Sequence, residues 1–385
     1  MRKILTALGL MSGTSGDGVD ASIIKSNGNT ESNDKNIVEL IKDKYFEYDK
    51  KIVKKIHNLR DKINFLNDLE VYKKEIKEIE REITIFHAKV SKEMINSVNV
   101  DLIGFHGHTV YHNPKEKISK QIGDAKLLSQ LTNKSIVYNF REKDIKYGGE
   151  GAPLACIYHC AIAQQEDIKL PVVFMNIGGI SNITWFHYTG DYYGGRDIGP
   201  GNYLIDKWIR ENSNLNYDEE GKIAKTGKVN KLILEQVYEH RNQIFENRSI
   251  VDTQRSLDIK NYDIGFVRGL SLEDGAATLT EYTTDLLCDY LISNVFNSDL
   301  PNHLVSKLVL TGGGRKNKFL VYKMKEKLGN CCQIFMIDDY GYDGDFVESQ
   351  AFAFLAIRSF NKLPTSFPEF TGCDKEIIGG ELIKI

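Results

Sequence analysis

The 385-residue sequence is poor in cysteine, has no long apolar run, and carries no excess of one charge. Its 6 cysteines are Cys156, Cys160, Cys288, Cys331, Cys332 and Cys373. None forms a C-x-x-C pair, which argues against a disulfide framework or a zinc knuckle and suits a reducing, cytoplasmic setting. Cys156 and Cys160, four apart around His159, read as small core residues of a helix. No stretch approaches the roughly 18 apolar residues that a spanning helix needs, so no membrane partner is expected. The start, Met1-Arg2-Lys3 ahead of an apolar 4–11, imitates a secretory leader. The run is short, however, and ends in Ser12-Gly13-Thr14-Ser15-Gly16 without a small-residue cleavage site; a buried strand entering a glycine turn fits better. The formal net charge is −3, and Lys and Arg are scattered rather than striped. That leaves no electrostatic footprint for nucleic acid. The phosphate-loop pattern G-x-x-x-x-G-K-[ST] is also missing.

What remains is a chain too long for one hydrophobic core, so two domains are expected. A strand–glycine hairpin–strand device occurs twice. It covers 4–11 and 19–24 near the start, then 172–177 and 180–186 around Gly178-Gly179. Each copy is followed by helical sequence and further strands, at 102–105 and 135–138 in the first half, and 308–310 and 334–337 in the second. The expectation is a duplicated α/β architecture, two lobes with a cleft between them. The first lobe is expected to span 1–140 plus 350–385, and the second 141–349. Apolar residues from Leu69 to Met94 recur every three or four positions, which predicts a long helix lying on a sheet, with a coiled coil as the alternative. Residues 211–262 show helical stretches and no readable chemistry.

Phosphate is held by closely approaching backbone N–H groups, which calls for glycine, and by hydroxyl donors. The segment Gly13-Thr14-Ser15-Gly16-Asp17-Gly18-Val19-Asp20 offers both, together with two aspartates able to hold hydrated Mg²⁺. Three further glycine clusters recur at strand ends. One contains Gly178 and Gly179. The next, Asp197-Ile198-Gly199-Pro200-Gly201-Asn202, leads into a predicted helix at 203–210 whose N-terminus suits an anion. The last, 311–317, contains Gly312, Gly313 and Asn317 and suits a ribose and base. Asp144 follows the strand at 135–140, at a sheet end where α/β sites cluster. His106 and His108 flank Gly107 and suit either sugar hydroxyls or a zinc ion. Glu348 opens a core-forming helix, where a carboxylate also favours the helix dipole. Arg141 is placed either to pair with Asp144 or to reach a substrate carboxylate.

In order along the chain, the segments 9–20, 104–109 (GFHGHT), 121–124 (QIGD), 140–154, 176–184, 197–202, 311–317 and 348–356 resemble the anhydro-N-acetylmuramic acid kinases. That resemblance implies the hexokinase, chaperone and actin superfamily, whose actin-like ATPase lobes are ribonuclease-H-like. It also implies a small amino-sugar substrate, ATP and Mg²⁺, and a place in peptidoglycan recycling. By the same resemblance Gly13 to Asp20 match the ATP-phosphate loop, and Asp144 and Glu348 match catalytic carboxylates, Asp144 as the base. His106, His108, Gly123, Asp124 and Arg141 fall at the sugar. Gly178, Gly179, Gly199, Gly201, Gly312, Gly313 and Asn317 fall at the nucleotide. A metal site is expected only in outline, near Asp17 and Asp197. Gly16 and Glu150 depart from the family pattern, where a larger residue and a glutamine are usual. The sequence does not fix oligomeric state, and a homodimer is compatible with it. Another sugar or carboxylate kinase, or a non-catalytic actin-like nucleotide-binding module, is the alternative.

Overall fold

A computed structural model of the chain describes residues 3–30, 37–190, 193–247, 255–257, 262–296 and 305–385. The chain divides into two compact units, Met1–Lys169 with Asp345–Ile385, and Leu170–Gly344. Strands of the first are β1 (Leu5–Ser12), β2 (Gly18–Ser26), β3 (Val38–Glu47), β4 (Leu102–Asn113), β5 (Ile118–Ile122) and β6 (Ser135–Tyr138). The second contains β7 (Val172–Ile177), β8 (Ile180–Phe186), β9 (Tyr193–Pro200), β10 (Ser306–Thr311) and β11 (Cys332–Met336). The last strand, β12 (Glu381–Ile383), returns to the first unit.

In the first sheet β1, β2 and β3 form an antiparallel meander, and β4 and β6 run parallel to β1. Its order is β12-β6-β4-β1-β2-β3, with β5 paired to β4. In the second, β7, β8 and β9 form the antiparallel meander, and β10 and β11 add in parallel. Its order is β11-β10-β7-β8-β9. Both sheets therefore repeat one plan: three antiparallel strands, then two parallel strands added beside the first. This is the ribonuclease-H-like arrangement, and the internal duplication expected from the sequence is present. The central strands are near-continuous apolar runs because they are covered on both faces. The edge strand β3 is mostly half-buried or exposed and carries Glu39, Lys42, Asp43, Lys44 and Glu47.

The first unit runs on to Lys169, beyond residue 140, because this stretch is tied to the unit's own C-terminal segment. Glu150 N–H donates to the Thr371 carbonyl (2.8 Å) and Asp374 N–H to the Tyr147 carbonyl (2.8 Å). The Tyr158 hydroxyl donates to Gln350 (3.1 Å). The apolar stripe forms the helix Lys73–Ile95, whose Ile76, Ile79, Ile83 and Met94 enter the core of this unit. It is a sheet-covering helix rather than a coiled coil. Among the described residues no helix is long and apolar enough to cross a membrane.

The helix Val347–Phe360 lies directly on β1 and β4. Gly9 and Gly104 are register partners on those strands. A Cβ on Gly9 would overlap the Ser349 carbonyl oxygen, and one on Gly104 the Phe352 carbonyl oxygen. The helix can seat only because both positions lack a side chain. Gly104→Ala should therefore lower stability by about 1–3 kcal/mol, the usual cost of overpacking. Urea unfolding reads this as a lower midpoint, and an unchanged midpoint would contradict backbone contact at this crossing.

Candidate active site

The first glycine turn connects β1 to β2. Gly16 N–H donates to the Gly13 carbonyl (3.0 Å), closing a turn in which Gly16 takes φ +68°. A side chain there would be strained and would crowd Ile56 of the helix Lys50–Lys62. Glycine thus suits this turn. The same helix braces the loop: His57 Nε2 lies 2.7 Å from the Ser15 carbonyl, and Arg60 Nη1 donates to the Thr14 carbonyl (3.3 Å). The Ser15 hydroxyl donates to Asp17 Oδ1 (2.8 Å). Thr14, Ser15 and Asp17 are exposed, and Gly18 leaves room for the Tyr45 ring. Val19 is a core residue of β2, and Asp20 pairs in register with Tyr45. Next to Gly13, the space a Cβ would occupy is open except for Ser15 Oγ at 3.9 Å. Such a cradle fits a phosphate.

His106 and His108 do not converge on a common ligand. The register between β1 and β4 shifts at His106, and Gly107 takes φ +75°. His108 turns into the core, with Nδ1 3.2 Å from the Ser12 hydroxyl. Burial pushes its pKa down to about 4, and the Arg60 and His57 charges act in the same direction. His106 Nδ1 lies 2.9 Å from the Gly107 carbonyl, and its Nε2 accepts from Arg141 Nε (3.2 Å) and faces Nη2 (3.0 Å). Burial, and then Arg141, hold His106 well below the usual imidazole pKa, so the ring is neutral with its proton on Nδ1. Among the described residues no group of three or more His, Cys, Asp or Glu is arranged to hold a metal ion.

Arg141 is the hub of the first unit's polar cluster. Besides His106 it donates from Nη1 to the Gly151 carbonyl (2.6 Å). Partly buried Glu348, in the first turn of Val347–Phe360, lies in its field: desolvation raises the Glu348 pKa, and Arg141 pulls against that. Asp144 meets this cluster through Gly151. It is fully buried, its Oδ1 accepts the Thr371 hydroxyl (2.7 Å), and its Oδ2 accepts Gly151 N–H (2.6 Å). A carboxylate committed in this way cannot meet a water in this conformation, which corrects the expectation that Asp144 is the base. Gly123 and Asp124 also have local duties. Gly123 sits where a Cβ would strike the Phe105 ring, and Asp124 Oδ1 caps the helix Ala125–Thr132 through Leu127 N–H (2.9 Å).

In the second unit, Gly201 N–H donates to the Gly179 carbonyl and Asn202 N–H to the Gly178 carbonyl, both at 2.8 Å. The β7–β8 turn is thereby locked to the entry of the helix Tyr203–Asn212. Gly199 packs beneath, against Leu287. Asp197 Oδ2 accepts Leu257 N–H (2.8 Å). Gly312, at φ +75°, passes close to Asn176 and Ile177, whereas nothing lies within 4 Å of a Cβ on Gly313. Asn317 caps the helix Lys318–Leu328 through Leu320 N–H (3.0 Å). Arg315, buried, bridges Asp338 (2.6 and 2.8 Å) and Asp343 (2.9 Å) and holds the Gly312 carbonyl (3.0 Å). Sequence reasoning missed Arg315, Thr371, His57 and Arg60. Arg315 follows Gly312-Gly313-Gly314 directly and was within reach of a motif reading. The other three carry no local signature.

Two ribonuclease-H-like units, each opening with a glycine-turn hairpin, place the molecule in the class of duplicated-fold proteins built around such turns. The profile of the anhydro-N-acetylmuramic acid kinase family matches residues 5–384. An anhydro-N-acetylmuramic acid kinase from Pelagibacter ubique (strain HTCC1062) is 48% identical over 387 residues, covering 100% of both chains. One from Brucella canis is 33% identical over 393 residues, covering 99% of each. Among solved structures, the activator of the 2-hydroxyisocaproyl-CoA dehydratase from Clostridium difficile with bound ADPNP aligns over 93% of this chain and 96% of its own. That alignment has a TM-score of 0.41 and 10% identity. The chain belongs to the anhydro-N-acetylmuramic acid kinase family and is a kinase.

Two outcomes follow from this geometry. Gly13→Val fits the open space and should leave the fold intact while weakening ATP binding at least tenfold; calorimetry showing normal ATP affinity would reduce the loop to a plain turn. His87 and His108 both have folded pKa values near 4 against 6.5 for the free side chain. The unfolded chain therefore binds more protons, so stability is full above about pH 6.5 and falls as the pH drops toward 4. Urea midpoints between pH 7.5 and 4.5 should show the decline, with a shallower slope in His108→Gln.

Proposed function

We propose that this kinase converts 1,6-anhydro-N-acetylmuramic acid, ATP and water to N-acetylmuramic acid 6-phosphate and ADP, within cytoplasmic peptidoglycan recycling. The observation that carries the reading is the 48% identity over the full length of a relative so named. In the anhydro sugar O6 is an ether oxygen with no proton to lose, so a base cannot activate it directly. Water must first be deprotonated, attack the anomeric carbon and open the bridge; the released O6 then attacks the γ-phosphate.

Glu348 suits the proton-accepting role better than Asp144. It is partly exposed where Asp144 is fully buried, and desolvation raises its pKa while Arg141 opposes the rise. Arg141 beside it offers a cation for the substrate's lactyl carboxylate, and neutral His106 presents no competing charge. Asp197 is the second carboxylate to test, by comparing Asp197→Asn with Glu348→Gln. Transfer itself depends mostly on positioning and charge stabilisation, which the Gly13–Asp20 turn would supply to the phosphates. In the second unit, the open Gly313 and neighbouring Gly312 are the candidates for adenosine. Mg²⁺ usually binds through one or two carboxylates and several waters. Asp17, exposed at the turn, fits that mode, with Asp197 as the other candidate; the ion would neutralise phosphate charge.

Turnover in ¹⁸O-labelled water discriminates this chemistry from an ordinary hydroxyl kinase. Label should enter the C1 oxygen of the sugar product and stay out of the phosphate, with inversion at C1. Label in free phosphate, or none at C1 beyond a control of unlabelled product in the same water, would sink the mechanism.

A further inference from the structure

We propose that Thr371 is a positioning residue for the sugar site, acting through Asp144 and the 147–151 loop to aim the Arg141 guanidinium. The proposal rests on the reading of Arg141 as a sugar-site residue. The chain of contacts is continuous. The Thr371 hydroxyl lies 2.7 Å from Asp144 Oδ1 and 3.3 Å from the Phe367 carbonyl, so its single proton goes to the nearer acceptor. The other Asp144 oxygen accepts Gly151 N–H (2.6 Å), and the same residue's carbonyl accepts Arg141 Nη1 (2.6 Å). Arg141 Nε and Nη2 then face His106 Nε2 at 3.2 and 3.0 Å. Thr371 also ties the loop from its backbone, its carbonyl accepting Glu150 N–H (2.8 Å).

Thr371 and Asp144 are both fully buried. Gly149 has no side chain because a Cβ there would overlap the Asp144 carboxylate. The Cys373 thiol also reaches the carboxylate, but it donates to the Lys375 carbonyl (3.0 Å), so loss of the Thr371 donor is met by movement of Asp144 or of Gly151. Either movement swings the carbonyl on which Arg141 rests. A planar, five-donor guanidinium transmits such a swing as a change of aim. Displacement of a positioning group by about 1 Å costs on the order of a hundredfold in rate.

The test is a mutant cycle of Thr371→Val with Arg141→Lys, read as kcat and KM for the anhydro sugar and for ATP separately. Valine keeps the shape of threonine and removes only the donor. Thr371→Val should lower sugar kcat/KM by about ten- to a hundredfold, leaving KM for ATP within about threefold. Thr371→Ser should restore activity. In the Arg141→Lys background Thr371→Val should cost little more, because the group it aims is already lost. Thermal melting checks folding, and Thr371→Ala enters the same cycle if the valine variant does not fold. Sugar kcat/KM within about twofold of wild type in Thr371→Val, or losses that multiply across the cycle, overturns the relay. Unchanged sugar kinetics in Arg141→Lys overturns the sugar-site reading itself, which separates the two failures.

Discussion

The seating of the helix Val347–Phe360 on a pair of glycines is the contact on which the first unit depends. Gly9 and Gly104 face each other in register, and the helix backbone occupies the space their side chains would fill. Close approach brings the helix's polar residues within reach of the sheet. The Ser349 hydroxyl lies 2.6 Å from that of Ser22, and Gln350 donates to Asp43 (3.0 Å) while accepting from Tyr158 (3.1 Å). It also sets the Phe352 ring 4.5 Å from that of His106 and brings Glu348 into the field of Arg141. Packing and polar contacts thus share one helix. A lateral shift of that helix would disturb both.

A second theme is the use of long-range hydrogen bonds to hold loops that carry no regular structure. The first turn hangs on His57 and Arg60, the β7–β8 turn on the amides of Gly201 and Asn202, and the 312–316 turn on Arg315 with its two aspartates. Asp144 does the same for the loop 147–151. Asp144 and Arg315 are buried, and there such bonds are costly to leave unmade, which fixes the loops they hold. Preorganised donors are what phosphoryl transfer asks of a protein.

Much of the architecture was legible in the sequence because its signals are local. The limits of β7 and β8 follow from an unbroken apolar run, a Gly-Gly turn and a returning run. The glycine clusters at strand ends were legible for the same reason. The edge strand β3 was not, because VELIKDKYFE carries as many charges as a solvated helix face and earns its place only by pairing with β2. Nor was the fate of Asp144, whose partner Thr371 lies 227 residues further along. His57 and Arg60 occupy ordinary positions on an amphipathic helix, and only the folded loop above them reveals what they hold. Asp124 and Asn317 stood in motif positions, and the structure adds that each caps a helix.

The central claim, that this family member opens an anhydro bridge while phosphorylating the released oxygen, is tested most directly by substrate-dependent ADP release. The wild-type chain with ATP would be assayed against 1,6-anhydro-N-acetylmuramic acid, against N-acetylmuramic acid without the bridge, and with no sugar. The account predicts ADP formation matched one-to-one by sugar 6-phosphate with the bridged sugar, and slow turnover in the other two reactions. Equal rates for bridged and open sugars, or full ATP turnover without any sugar, would contradict it.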